Sequence, residues 1–309
     1  MQLYEKALNL TKSNAELYHK KGLCLRALYK YKESIECFDE VLRIEPTHLA
    51  ALNFKGLTLK ALKLDCNDFF SKANDLNSNP ETLNQLLNKA ISLHGLERNE
   101  EALHVYDRMI AIDSSDPVVF NNRGVLLKIM NRFDEALKSY ERSYQIQPSY
   151  CYSYNNKGIL LKDCLKKNKE AIEYFDKAIE KYPTYADAYK NKASAFYNLK
   201  NYQEAFYFYE KAIQLDSQCS CSFNNKANAL TKLKRYKEAE EAYEKSIQLE
   251  ENNIDAFFNK GMLFNYMKRF SEAIQCFDRV IEHEANNIRA LNGRKFAVDH
   301  LNHRNKATL

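Results

Sequence analysis

Six asparagines, Asn88, Asn122, Asn156, Asn191, Asn225 and Asn259, recur at intervals of 34 residues, with one interval of 35 between Asn156 and Asn191. Each is followed by a basic residue and then by glycine or alanine, as in Asn122-Arg123-Gly124. A carboxamide carries a donor and an acceptor side by side, which matches the amide and carbonyl of an extended peptide without reading its side chains. Residues two apart on a helix differ by about 200°, so each asparagine lies about 160° from the large apolar residue before it and from the small residue after it. It therefore faces away from a core built on those two. Three places after each ladder position the early copies carry Leu57, Ile91, Val125 and Ile159, with Leu23 before them, whereas Ser194 and Asn228 are polar. Arg26, Lys60, His94, Lys128 and Lys162 follow three places further on. An apolar floor with a positive edge fits an extended, acidic and partly hydrophobic polypeptide, held by the asparagines and by Lys128 and Lys162. The other reading is a solvated row, carried along by the repeat and binding nothing.

A period of 34 residues marks a helical repeat array. Full repeats begin at 15, 49, 83, 117, 151, 186, 220 and 254, after a half repeat over 1–14 and before a closing helix over 288–302 and a polar tail over 303–309. Within each repeat the fourth place is large and apolar (Phe120, Tyr154), the eighth tiny (Gly124, Gly158) and the eleventh apolar again, a helical stripe. The eighth place holds five of the seven glycines; glycine costs about 1 kcal/mol against alanine in a helix, so it signals close helix contact there. A second amphipathic segment follows, for example Phe133, Ala136, Leu137 and Tyr140, and Pro46, Pro80, Pro148 and Pro183 fall just after it. Each repeat is thus predicted as helix, turn, helix. Helices this short are marginal alone and must bury their stripes against neighbours, so the array folds as a stack.

The seventh place is basic without exception: Lys21, Lys55, Lys89, Arg123, Lys157, Lys192, Lys226, Lys260 and Arg294. Bordering the core, such a side chain can bury its methylenes and send its charge to solvent. The alternative is a positive stripe for RNA or a phosphoryl ligand. Two irregularities interrupt the array. In the repeat from Leu49, Asp68 and Lys72 stand where the next repeat has Ala102 and Tyr106, and the apolar set Phe69, Phe70, Ala73 and Leu76 is read as displaced one place later. The extra residue behind the interval of 35 is placed in the turn near Lys166-Lys167-Asn168-Lys169.

These places and this period resemble the tetratricopeptide repeat over essentially the whole chain. The resemblance implies an all-α, right-handed superhelical solenoid with first helices lining a concave groove, where the asparagines would form a continuous row. It implies a non-enzymatic binding scaffold. The row is similar to that in the repeat region of the protein O-linked N-acetylglucosamine transferases, whose catalytic part has no counterpart here. Chaperone-binding members hold a C-terminal carboxylate; Asn228, Asn259 and Arg289 match that set, but Asn224 and Gly293 stand where lysine and arginine are expected.

Net charge of +5 is too mild to indicate nucleic acid or a membrane surface by itself, and no run of eighteen apolar residues occurs. Eight cysteines without common spacing and no secretory leader point to reduced thiols in a cytoplasmic or nuclear protein. Cys219 with Cys221 and His300 with His303 are pairs without further ligands at structural-metal spacing, so no metal or cofactor is expected. No phosphate loop and no nucleophile–base pair is found. Lys295 at the last eighth place, with Arg289, Arg294, His300 and His303 around Leu291, Val298 and Leu301, reads as a solvating cap. The start lacks one, and Leu3, Tyr4 and Leu8 left bare would favour self-association, a further upstream segment or a larger parent enzyme using the array for recognition.

Overall fold

The computed structural model describes residues 14–307; the half repeat expected over 1–14, with Leu3, Tyr4 and Leu8, lies outside the described residues except for Asn14. The fold is all-α, a solenoid of helical hairpins, with 17 helices among the described residues. The chain forms two compact halves, Met1–Leu160 and Leu161–Leu309. The first contains α1 (Ala15–Ala27), α2 (Tyr31–Ile44), α3 (Leu49–Ala61), α4 (Asn67–Leu76), α5 (Leu83–Gly95), α6 (Asn99–Ile112), α7 (Pro117–Ile129), α8 (Phe133–Ile146) and the start of α9 (Cys151–Asp163). The second contains the end of α9, α10 (Asn168–Lys181), α11 (Ala186–Asn198), α12 (Tyr202–Leu215), α13 (Ser220–Lys232), α14 (Tyr236–Leu249), α15 (Ile254–Tyr266), α16 (Phe270–His283) and α17 (Ile288–Ala307).

Short polar side chains start several first helices. Asn14 accepts the Leu17 amide, Thr82 and Gln85 form a reciprocal capping box, Asp116 accepts from Val118 beside Pro117, and Asn253 accepts from Ala256. The turn to the second helix closes the same way in every described hairpin but α9–α10. In α7 the Arg132 amide donates to the Leu127 carbonyl at 2.9 Å and the Asn131 amide to that of Lys128 at 3.1 Å. This needs a residue in the left-handed region, usually glycine. Here Tyr29, Lys63, Glu97, Asn131, Lys166, Lys200, Lys234 and Lys268 take it, with φ between 58° and 63°.

One aromatic ring per second helix forms the core of each hairpin: Phe38, Phe70, Tyr106, Tyr140, Phe175, Tyr209, Tyr243 and Phe277, all buried. Burying such a side chain contributes roughly 1.5–3 kcal/mol. The small eighth place makes room for it, since a Cβ added to Gly124 would stand 2.6 Å from the Tyr140 ring.

Both irregularities are resolved. The extra residue does lie in the turn of Cys164–Lys167, where the Lys167 amide reaches back to the Leu161 carbonyl at 2.8 Å, one residue further than its counterparts. The displacement in α4 differs from the expected one. Phe70 packs on Gly56 as Phe38 packs on Gly22, so the ring has moved two places earlier, not one later. α4 has 10 residues against 14 in α2 and α6, and longer turns on both sides restore the period. Asp68, Lys72 and Asp75 are consequently exposed, and Gly95 is needed because a Cβ there would lie 2.5 Å from the Phe70 ring. At the other end α17 continues past the expected boundary at 302 to Ala307. Ala290 and Ala297 are buried, but Ile288, Leu291 and Phe296 are exposed, so this end is less polar than a solvating cap requires.

Candidate groove of the first helices

Ladder asparagines are wired to the row one place before them, in the preceding repeat for Asn156 and Asn259 and in their own repeat for Asn122 and Asn225. Asn156 Nδ2 donates to Asn121 Oδ1 at 2.9 Å, and Asn121 Nδ2 donates to Asn122 Oδ1 at 3.3 Å. The same relay recurs in the second half, where Asn259 donates to Asn224 at 3.1 Å and Asn224 to Asn225 at 3.2 Å. Asn88 is buried; it receives Asn53 Nδ2 on its carbonyl at 2.9 Å and gives its own Nδ2 to the Asn84 carbonyl at 2.9 Å. Asn191 is half-buried. Among the described residues, Asn122 and Asn225 keep an unpartnered Nδ2, and Asn156 and Asn259 an unpartnered Oδ1. The relay therefore ties repeats together at Asn121–Asn156 and Asn224–Asn259 and leaves one donor and one acceptor per pair without a partner among the described residues. The signal for it was a second row of asparagine at Asn53, Asn121, Asn155 and Asn224, one place before the ladder.

In the first half, three successive first helices, α3, α5 and α7, line a cleft of about 280 Å³. Its walls are Phe54, Leu57, Ile91 and Val125, with Tyr106 and Leu126 below and Asn122 and His94 at the polar side. This gathers the apolar places of the sequence beside a ladder amide. The basic edge is partly engaged: Lys60 lies 3.8 Å from Glu97, His94 Nδ1 is 2.9 Å from Asn99 Oδ1, and buried Lys162 reaches Asp163 at 2.9 Å and Ser194 at 3.2 Å. Lys128, half-buried, makes no ion pair among the described residues.

The seventh-place bases are held by an acid sixteen residues earlier, on the preceding second helix. Arg123 meets Asp107 at 2.8 Å, Lys157 meets Glu141 at 2.6 Å and Lys260 meets Glu244 at 3.0 Å, while Lys55–Asp39, Lys192–Asp176, Lys226–Glu210 and Arg294–Asp278 repeat the pairing. Lys89 differs. The shift in α4 puts Ala73 at the acid's place, so Lys89 Nζ donates to the Asn74 carbonyl at 3.0 Å, and burial holds its pKa below the usual lysine range.

Of the partial carboxylate set, Asn228 accepts from the Tyr243 hydroxyl at 2.7 Å and Asn259 is in the relay. A metal-capable group escaped the sequence reading: Glu16, His19 and His48 bring ligand atoms within 4.8 Å of one another. His48 Nδ1 accepts the Ala51 amide at 3.1 Å, and Glu16 lies 3.2 Å from Lys20, so two of the three already have partners. Burial and His48 hold His19 below its ordinary pKa. No helix among the described residues is long and apolar enough to cross a membrane.

Models of the tetratricopeptide repeat match residues 15–48, 118–150, 165–218, 220–253 and 254–287, more than half the chain, and the chain belongs to this family. Among curated proteins it is similar to the Hordeum vulgare protein described as probable UDP-N-acetylglucosamine–peptide N-acetylglucosaminyltransferase SPINDLY, with 23% identity over 133 residues. That match takes in 41% of this chain and 14% of the relative's length. Among solved structures, Cut9 in the APC/C hetero-tetramer Cut9–Hcn1 matches 94% of this chain and 57% of its own at 18% identity and TM-score 0.63. Yeast Tom70 matches 98% and 92% at 15% and 0.55, and YrrB, described as a TPR protein with an unusual peptide-binding site, 62% and 97% at 20% and 0.50. At these identities the likeness is one of fold.

Proposed function

We propose that the protein is a non-catalytic interaction scaffold that holds an extended segment of another protein along the exposed faces of its first helices. The cleft walled by Leu57, Ile91 and Val125 carries this reading, because it offers an apolar side chain a seat beside the unpartnered Nδ2 of Asn122. A peptide carbonyl accepts from Asn122 and a peptide amide donates to Asn156 Oδ1. Asn225 and Asn259 offer the same donor and acceptor within the second half, and Lys128 in the first favours acidic residues in the ligand, whereas Asn88 and Lys162, buried and already partnered, take no part. One hydrogen bond contributes only about 0.5–1.5 kcal/mol, so the apolar seat supplies most of the discrimination. YrrB's peptide-binding site supports the class of ligand.

The test is a peptide array and pull-down comparing wild type with Leu57→Asp, Asn122→Ala and Lys128→Glu. Leu57→Asp abolishes capture of apolar–acidic peptides, Asn122→Ala weakens it by about five-fold, and Lys128→Glu removes the preference for acidic sequences. An unchanged peptide profile across the three variants, each with wild-type helicity, would exclude the groove reading. A second reading, the recognition module of a larger enzyme, is favoured by the similarity to a small part of SPINDLY. Sequencing the transcript around this region decides it.

A further inference from the structure

Cys219 and Cys221 differ from the other cysteines in having each other. Cys219 is the N-cap residue of α13 and Cys221 stands two places on, inside the first turn, with the two sulfurs 2.9 Å apart. The residue between them is pinned: Ser220 Oγ donates to Glu250 Oε2 at 2.6 Å, and the Ser220 carbonyl accepts from Ser246 Oγ at 2.9 Å. Two thiols on a backbone fixed by its neighbours have little conformational freedom left to lose on joining. Cys219 sits at the positive end of a helix, and the Cys221 hydrogen bond pulls its thiol below the ordinary range, with Lys190 and Ser222 acting in the same direction against burial. Cys221 is correspondingly held as the protonated partner. By contrast, burial raises the thiols of Cys37, Cys66, Cys151 and Cys276.

We propose that Cys219 and Cys221 form a peroxide-reactive dithiol that closes to an intramolecular disulfide. The Cys219 thiolate attacks one oxygen of hydrogen peroxide; the O–O bond breaks, and the departing hydroxide takes up a proton to leave as water. Cys219 is now a sulfenic acid. The Cys221 sulfur attacks it, the S–O bond breaks, and hydroxide leaves with the Cys221 proton as a second water. Two thiols have been oxidised by two electrons and one peroxide reduced by two. Cys219 is only 4% exposed and Cys221 half-buried, so a small oxidant fits this site better than a bulky disulfide.

The experiment uses the full chain, treated with hydrogen peroxide at neutral pH, then alkylated under denaturing conditions, digested and weighed. The peptide holding both cysteines loses two hydrogens about ten-fold faster than exposed Cys164 is oxidised, and dithiothreitol restores it. Oxidation of Cys164 while the pair stays dithiol, or conversion of the pair to sulfinic acid without a disulfide, overturns the proposal. Trapping with dimedone separates the roles. Cys221→Ser accumulates an adduct on Cys219, Cys219→Ser gives none on Cys221, and a folded Cys221→Ser protein without the Cys219 adduct also overturns it.

Discussion

Lys89 and Lys157 occupy the same place in their repeats and differ in what receives their charge. Lys157 is almost wholly covered and meets Glu141, whereas Lys89 has only a carbonyl. Lys157→Met should cost about 1–2 kcal/mol in urea unfolding, since it strands a partner, while Lys89→Met should be neutral or stabilising. The sign with pH follows. Lys89 has a folded-state pKa depressed below its unfolded value of about 10.4, so its charge weighs on the folded state at neutral pH and that weight lifts as pH rises through the folded value. The gap between Lys89→Met and wild type should therefore narrow at alkaline pH; a gap that widens would refute the assignment. The bases were legible in the sequence. Their pairing was not, because it depends on which face of the preceding hairpin each repeat packs against.

At the scale of one helix, α4 shows how a stack absorbs a defect without losing its period. Phe70 sits between Gly56 and Gly95, and Gly95→Ala would put a methyl 2.5 Å from the ring, at a cost of about 2–3 kcal/mol. Adding Phe70→Leu should recover part of that loss, so the double variant should unfold at higher urea than the sum of the single effects allows. The adjacent aromatics Phe69 and Phe70 both satisfy a helical stripe, and periodicity alone could not choose between them. The flanking glycines do choose, but only once the two helices are seen to face the same ring. The turn residues were hidden for another reason: Tyr29, Glu97 and Lys200 carry none of the glycine or asparagine signal that a left-handed position usually shows.

For the molecule as a stack, stability is close to a sum of nearest-neighbour terms, so its weakest member sets where it opens. α4 is the shortest second helix, and Lys89 beside it lacks an acid partner. Amide exchange should accordingly be faster in α4 than in α8, and equal protection in both would contradict this account. The helix–turn–helix plan could be read from spacing, as could the recurrence of the asparagines. That Asn156 and Asn259 each spend a donor on the preceding repeat could not, since residues 35 apart join only through tertiary packing. The base-to-acid pairing also bears on how such a chain can change length. Every described repeat except the one holding α4 supplies an anion to its successor's cation, so recombination that drops or duplicates one such copy rejoins a cation to an anion. A crossover that sets a copy behind α4 instead inherits an orphan charge, which makes that junction the place where shuffling of repeats is most heavily penalised.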